Sequence, residues 1–294
     1  MKMHLLKYHG LGNDYLIAAD ADAAAPEKID VELVRRLCVP HYGLGSDGIL
    51  YGPYLPGTPF FASLGIPEAV AAFRIINPDG SEAEKSGNGV RIFTRYLYDI
   101  GVVRTDVPFT LATLGGPIRC LISDPRSAIR CEMGQVSFDS SRIPVAGDVR
   151  EVLHERIKVN GQEVEFCAAT VGNPHCIVIT PGLVTPESAM ALGPALECAD
   201  IFPNRTNVQF MEALDEHTIR IEIYERGAGY TLASGTSAAA CAATAVRLGW
   251  CHSPVTVTMP GGTLEIHVDA EFRVTQCGPA AKVFDGIISL GDDL

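Results

Sequence analysis

The sequence predicts an α+β protein, because strand-like segments greatly outnumber helical ones and two of the helical segments start alike. Short apolar runs separated by Gly, Pro and Asn turns recur along most of the 294 residues. Only three segments have the apolar spacing of helices. Two of them follow a Ser-Gly pair, Ser86-Gly87 in the first half of the chain and Ser234-Gly235 in the second.

The three predicted helices end at recognisable stop signals. VELVRRLC is ended by Pro40, GVRIFTRYLYDI by Gly101, and SAAACAATAVRL by Gly249. Strands are predicted over residues 71–77, 109–114, 129–138, 155–161, 164–171, 175–180, 207–213, 218–225, 254–260, 263–269 and, at the end, about 282–290. Residues 51–70 contain four prolines and are expected to form an irregular excursion.

Composition excludes several classes of protein. The net charge of −12 argues against nucleic acid as a partner, because phosphate binding needs clustered Lys and Arg. No apolar run reaches the length of a membrane span, and the N-terminus lacks the apolar core of a signal peptide. The nine cysteines are scattered and form no Cys-x-x-Cys pair, which predicts a cytoplasmic protein with no metal site.

The two halves repeat each other at a second place. LGNDY (residues 11–15) resembles VGNPH (residues 171–175), and each precedes a Ser-Gly helix start. This order predicts two similar domains facing each other across a cleft. We place them at residues 1–128 with 279–294, and at residues 129–278, so that the last strand returns to the first domain.

Two helix starts in one cleft would suit a small carboxylic acid. The first turn of a helix presents N–H groups and the positive end of the helix dipole, which together attract a carboxylate. Acid/base side chains at both helix starts would flank the bound acid and could remove a Cα proton from one face and return one to the other. The reaction this predicts is stereoinversion. Taken alone, each serine could simply be a helix N-cap.

Five motifs, in order, closely resemble those of the diaminopimelate epimerase family. They are GLGNDY, NPDGSEAEKSGNGVRIF, VGNPHCIV, FPNRTNVQF and YERGAGYTLASGTSAAACAA, and they cover nearly the whole chain. The resemblance implies two pseudo-symmetric domains, each a mixed or antiparallel sheet around a central helix. It also implies an epimerase that converts LL- to meso-diaminopimelate for lysine biosynthesis, without pyridoxal phosphate or any other cofactor.

The resemblance also implies the site residues. Ser86 and Ser234 stand where the family has two catalytic cysteines, and His175 and Glu225 match residues beside those bases. The backbone N–H groups of Gly87, Asn88, Gly235 and Thr236 would hold the substrate α-carboxylate. The side chains that match other substrate-binding residues are Asn13, Asn77, Asn173, Asn207 and Arg226. The only partner expected is a small amino-acid substrate, and a homodimer is compatible with the sequence.

The departures from the family pattern leave two alternatives open. A serine hydroxyl is a much weaker acid than a thiol, so activity is expected to be reduced or altered. Gly48 and Tyr230 stand where the family usually has Gln and Glu, and Ser237 where it usually has Gly. The first alternative is an isomerase for another amino acid that uses His175 or Glu225 as its base. The second is a protein that binds an amino acid without catalysis.

Overall fold

The computed structural model describes residues 2–19, 29–84 and 86–289. Strands outnumber helices throughout, so the predicted α+β class is confirmed. The chain forms two compact units: unit 1 consists of residues 1–131 and 278–294, and unit 2 of residues 132–277. Unit 1 therefore consists of two separate stretches of the sequence, and unit 2 of one.

Unit 1 contains nine strands and three helices among its described residues. They are β1 (Lys2–Gly10), β2 (Asn13–Ala18), α1 (Val31–Cys38), β3 (Ile49–Tyr54), α2 (Pro59–Ser63), β4 (Ala71–Ile76), β5 (Glu82–Ala83), α3 (Gly87–Asp99), β6 (Phe109–Thr113), β7 (Gly116–Asp124), β8 (Ala128–Gln135, which runs on into unit 2) and β18 (Ala281–Ser289). The last strand pairs antiparallel with the first, as expected for a C-terminus that returns to the first domain. Position 290 of that predicted strand lies outside the described residues.

Unit 2 contains nine strands and two helices. They are β9 (Glu155–Val159), β10 (Gln162–Thr170), β11 (Pro174–Val178), α4 (Pro186–Glu197), β12 (Asn207–Asp215), β13 (Thr218–Glu225), β14 (Gly229–Thr231), α5 (Gly235–Arg247), β15 (Val255–Met259), β16 (Gly262–Val268) and β17 (Arg273–Gly278). Helix α4 has 12 residues and α5 has 13, and α5 is buried along most of its length.

Strand pairing confirms that the two units repeat one topology. In unit 1 the hydrogen-bonded order is β18-β1-β2-β3-β4-β6-β7-β8, and in unit 2 it is β9-β10-β11-β12-β13-β15-β16-β17. In both orders the third and fifth pairings are parallel and all the others antiparallel. The short strands also correspond, since β5 pairs with β4 and β14 with β13.

The long helix of each unit is buried in the core. In α3, Phe93 stacks on Phe73 of β4 with ring centroids 4.2 Å apart, and Val90, Ile92 and Leu97 are fully buried. In α5 every residue from Ser237 to Ala245 is buried. A helix buried on all sides needs apolar or small side chains all round, which explains the alanine-rich sequence of α5.

Helix α4 is absent from the sequence prediction, because its segment contains Gly193 and Pro194, which normally end helices. A glycine is required at position 193 because the helix backbone packs directly on a tyrosine of β13. A Cβ atom there would lie 2.5 Å from Cγ of Tyr224.

Residues 51–70 are more regular than predicted. They begin inside β3 and contain the short helix α2, whose Phe60 and Phe61 pack into a small apolar cluster with Tyr54. Elsewhere most predicted strands are present with ends shifted by a few residues. Among the described residues, no helix is both long and apolar enough to cross a membrane.

The close contact at Gly193 predicts that Gly193→Ala lowers the free energy of unfolding by about 1–2 kcal/mol. Overpacking against Tyr224 outweighs the gain of about 1 kcal/mol that alanine normally brings to a helix. Gly286→Ala in β18 is the matched control, since a Cβ there meets no atom within 4 Å. Urea denaturation of the three proteins measures the effect, and a stabilised Gly193→Ala protein would contradict it.

Candidate active site

The two predicted serines cap the two core helices in the same way. Ser86 precedes α3 with φ −142° and ψ 120°, and Ser234 precedes α5 with φ −144° and ψ 124°. Ser86 Oγ accepts a hydrogen bond from the N–H of Gly89 at 3.1 Å, and Ser234 Oγ one from Ser237 at 3.4 Å. The cap interpretation is therefore correct for both serines, and it places both hydroxyls at a helix N-terminus.

Each helix start also presents the backbone groups predicted to hold a carboxylate. Gly87 and Asn88 form the first turn of α3, and Gly235 and Thr236 that of α5. N–H groups of a first helical turn point along the axis, out of the N-terminus, where the helix dipole is positive. An anion at either end would meet backbone donors beside a serine hydroxyl.

In unit 1 a chain of hydrogen bonds fixes the side chains of Asn88 and Asn13. The guanidinium of Arg91, which is completely buried, donates to Asn88 Oδ1 at 2.8 Å. Asn88 Nδ2 donates to Asn13 Oδ1 at 2.9 Å, and Asn13 Nδ2 donates to Asp47 Oδ2 at 2.7 Å. Because the arginine can only donate and the carboxylate can only accept, both amides have a single allowed orientation.

Asn77 occupies a different part of unit 1, in the turn between β4 and β5. Its Nδ2 donates to Ser81 Oγ at 3.0 Å, and the backbone of the two residues pairs as well. Lys7 and Asp14 form an ion pair at 2.8 Å next to Asp47, whose carboxylate accepts from the N–H of Asp14. The structure thus joins Asn13, Asn88 and the Asp47 carboxylate in one network, with Asn77 in a neighbouring turn.

In unit 2 the corresponding network is centred on His175, which is completely buried in β11. Its Nε2 lies 3.0 Å from Asn173 Oδ1, and its Nδ1 lies 3.3 Å from Gln209 Oε1. Gln209 Nε2 donates to Ser237 Oγ at 3.0 Å, and Asn173 Nδ2 lies 3.5 Å from Thr236 Oγ1. The histidine is therefore linked on both sides to the first turn of α5.

Burial lowers the pKa of His175 to about 3, with a smaller effect of the Arg226 charge in the same direction. The ring is therefore neutral at physiological pH and carries one proton. A neutral imidazole donates to one partner and accepts from the other, so one of the two facing amides must turn its NH₂ group towards the ring. The arrangement orients Asn173 with respect to the helix start.

Asn207 holds the turn that carries Arg226. Its Oδ1 accepts from the N–H of Arg226 at 3.0 Å, and its Nδ2 donates to the carbonyl of Pro174 at 2.9 Å.

The buried carboxylate of Glu197 stabilises the same turn, because it accepts from the N–H of Gly227 at 2.7 Å, and it also pairs with Arg205. Arg226 is exposed, and its guanidinium donates to the carbonyl of Asn204 at 3.0 Å. Glu225, half-buried, ends β13 beside this turn.

Each residue that departs from the family pattern, namely Tyr230, Ser237 and Gly48, lies against a side chain of its own unit. Tyr230 donates through its hydroxyl to the buried Glu222 at 2.7 Å, and burial together with that carboxylate raises the pKa of Tyr230 to about 12. The hydroxyl of Ser237 accepts from Gln209. Gly48 lies against Tyr15, whose hydroxyl is 3.2 Å from Ser86 Oγ.

Sequence reasoning missed several residues of these networks, among them Tyr15, Asp47, Arg91, Gln209 and Glu222. Two of them carried a usable signal, since Arg91 is a charge within the apolar face of a buried helix and Gln209 a polar residue in a buried strand. Among the described residues, no group of three or more His, Cys, Asp or Glu side chains is placed to hold a metal ion. Eight of the nine cysteines are buried, and Cys198 is exposed.

The chain is similar to known proteins in both sequence and fold. The family model of diaminopimelate epimerase matches residues 5–138 and 167–283. Diaminopimelate epimerase 2 of Nostoc sp. is 48% identical over 287 residues, covering 98% of this chain and 96% of its own length. Diaminopimelate epimerase of Desulfitobacterium hafniense is 39% identical, covering 97% of this chain and 98% of its own.

A solved structure shares the fold at low identity. A hydroxyproline epimerase from Agrobacterium vitis superposes with a TM-score of 0.69 at 17% identity, covering 99% of this chain and 93% of its own. At this identity the likeness concerns the fold alone. It agrees with the two-unit topology described above.

The burial of His175 predicts that stability falls with acidification below pH 6.5. The unfolded chain binds a proton at this histidine near pH 6.5, whereas the folded protein does so only near pH 3. The free energy of unfolding therefore loses about 1.4 kcal/mol per pH unit between these values, or about 2 kcal/mol from pH 7 to pH 5. Urea titrations at several pH values measure this slope in the protein and in His175→Asn. Equal slopes in the two proteins would contradict the prediction.

The buried guanidinium of Arg91 predicts a second stability effect. Arg91→Met leaves the Asn88 oxygen without its charged donor, and we expect the free energy of unfolding to fall by about 2–4 kcal/mol. Arg119→Met on the exposed face of β7 is the control and should change it by less than about 0.5 kcal/mol. The measurement is again urea denaturation, and similar values for the two variants would refute the role assigned to Arg91.

Proposed function

The chain belongs to the diaminopimelate epimerase family, whose members are isomerases, and from this premise we propose that it epimerises diaminopimelate at Cα without a cofactor. The observation that carries the proposal is the equivalence of the two helix starts. Ser86 and Ser234 have the same backbone conformation, cap topologically equivalent helices, and each presents one hydroxyl beside the N–H groups of a first helical turn.

The proposed reaction is a two-base proton transfer. One serine oxygen takes the Cα proton and the other serine returns a proton to the opposite face, so that the configuration at Cα inverts. The N–H groups of Gly87, Asn88, Gly235 and Thr236 bind the α-carboxylate and stabilise the charge that develops as the proton leaves. The positive end of each helix must also favour the ionised serine oxygen, because a serine hydroxyl is a far weaker acid than a thiol.

Polar side chains are proposed to bind the rest of the substrate. Asn13, Asn77, Asn173 and Asn207 supply amide donors and acceptors, and Arg226 supplies a cation that can pair with the distal carboxylate. The hydrogen-bond networks on Asn13, Asn173 and Asn207 support this role, since they fix each amide before the substrate arrives. Glu225 is proposed to contact the substrate amino group, and His175 to orient Asn173.

The proposal predicts that deuterium enters Cα of diaminopimelate when the protein is incubated with it in D₂O. Proton NMR follows the loss of the Cα signal and the interconversion of isomers. Ser86→Ala and Ser234→Ala should each reduce the rate at least about 10²-fold, because each removes one proton-transfer group.

Two controls make the result specific. Thr185→Ala removes the N-cap of α4, where Thr185 Oγ1 accepts from Ser188 at 3.1 Å, and should cost about 1 kcal/mol of stability while leaving exchange intact. Ser86→Cys/Ser234→Cys restores the family's two thiols. Exchange by the double variant alone would mean that this chain binds diaminopimelate without catalysis. No exchange by either protein would reject diaminopimelate as the substrate. The cytoplasmic location and the homodimer stay predictions of the sequence.

A further inference from the structure

We propose that Tyr15 is the proton partner of Ser86: its phenol hydroxyl exchanges a proton with the serine oxygen as that oxygen exchanges one with the substrate. The inference rests on the proposed function, in which Ser86 is one of the two proton-transfer groups. Its starting observation is the distance of 3.2 Å between the Tyr15 hydroxyl and Ser86 Oγ.

The ring of Tyr15 is held firmly in the core of unit 1. Tyr15 is only 6% exposed and belongs to the apolar cluster that surrounds α3. Gly48 lies directly against the ring, since a Cβ at position 48 would be 2.8 Å from Tyr15 Cε1 and 2.6 Å from the carbonyl oxygen of Ile76. The absence of a side chain at position 48 therefore gives the ring the room it occupies beside Ser86.

The contacts of Ser86 Oγ determine what its proton can do. A serine oxygen has two lone pairs and one proton. The N–H of Gly89 uses one lone pair at 3.1 Å. When Tyr15 donates to the other lone pair, the serine proton is left to point at the substrate. When Tyr15 accepts instead, that lone pair is open to the substrate. The direction of one O–H···O bond thus sets whether Ser86 gives or takes a proton.

The proton transfers balance in both directions. When Ser86 protonates the carbanion, its O–H bond breaks and a C–H bond forms at Cα. The Tyr15 O–H bond breaks as a new Ser86 O–H bond forms, and the electron pair remains on the phenolate oxygen. In reverse, the phenolate takes the serine proton while the serine oxygen takes the proton from Cα. A phenol has a pKa of about 10, far below that of an alkyl hydroxyl. The negative charge is therefore carried by the phenolate, which is more stable than a serine alkoxide.

Ser234 has a different neighbour in unit 2. Its Oγ lies 3.4 Å from the hydroxyl of Thr236, an alkyl hydroxyl like its own, and accepts from Ser237 at 3.4 Å. Thr236 offers no acidity advantage over the serine it contacts. The two helix starts are thus equivalent in backbone but differ in the group that supports the serine oxygen.

Tyr15→Phe removes the hydroxyl and leaves the ring. We expect kcat for diaminopimelate epimerisation to fall about 10²-fold with KM unchanged. Tyr8→Phe is the matched control, because it also removes a buried hydroxyl of unit 1, one that donates to Asp99 at 2.8 Å, and should leave kcat within about twofold. Equal kcat values for Tyr15→Phe and the unchanged protein would overturn the proposal.

A second measurement tests the contact without relying on turnover. In Ser86→Cys, the alkylation rate of the introduced thiol is followed against pH by mass spectrometry of its peptide. Loss of the phenol donor should raise the apparent pKa of this thiol by about one unit in Tyr15→Phe/Ser86→Cys, whereas Tyr8→Phe/Ser86→Cys should not change it.

The outcomes separate this inference from the proposed function. An unchanged thiol pKa overturns the pairing of Tyr15 with position 86, whatever the activity. A raised pKa together with the loss in kcat supports both. A raised pKa in a protein that exchanges no Cα proton of diaminopimelate supports the pairing and rejects the substrate.

Discussion

The capping of a buried helix by a serine hydroxyl is the interaction on which each unit depends. Helices α3 and α5 lie inside their units, so their N-terminal N–H groups cannot all rely on water and need partners from the chain. One serine oxygen meets part of this need at each helix. The same oxygen is thereby fixed where the helix dipole favours negative charge. In the proposed mechanism, helix capping and proton transfer thus depend on the same atom, and removing it affects both.

The two units support their helix starts with different chemistry. In unit 1 the amides of Asn88 and Asn13 lie between a cation, Arg91, and an anion, Asp47. These two charges fix which end of each amide donates and which accepts. In unit 2 the amides of Asn173 and Gln209 surround a neutral imidazole, and hydroxyls of the first turn complete the network. A repeated backbone topology has therefore kept its geometry while its side chains diverged. The proposed mechanism is compatible with this divergence, because it gives the two serines opposite roles in the proton transfer.

The sequence predicted those parts of the fold that local patterns determine. Helix α5 and its Ser-Gly start are visible because small residues, a cap and a terminal Gly249 agree with one another. Helix α4 was missed because Gly193 and Pro194 contradict a helix locally, and only contact with Tyr224 makes the glycine favourable. The predicted site residues came from motifs, and Tyr15 ends one of them, GLGNDY, without being predicted to have a role. Nothing near position 15 indicates that its hydroxyl meets a serine far along the chain, because that contact depends on the pairing of strands and on the room left by Gly48.

The return of β18 to unit 1 has a consequence for synthesis on the ribosome. Unit 2 is a continuous stretch of chain and can close as soon as residue 277 has emerged, whereas unit 1 waits for the strand that pairs with β1. Arg91 and Arg95 of α3 donate to the carbonyls of Pro279 and Ala280, so the helix that carries Ser86 also depends on the last part of the chain. The N-terminal half of the nascent protein thus stays incomplete during translation of the C-terminal half, although domains that fold during synthesis usually do so from the N-terminus. A chain that stopped after residue 277 would contain all of unit 2 but would lack the strand that pairs with β1.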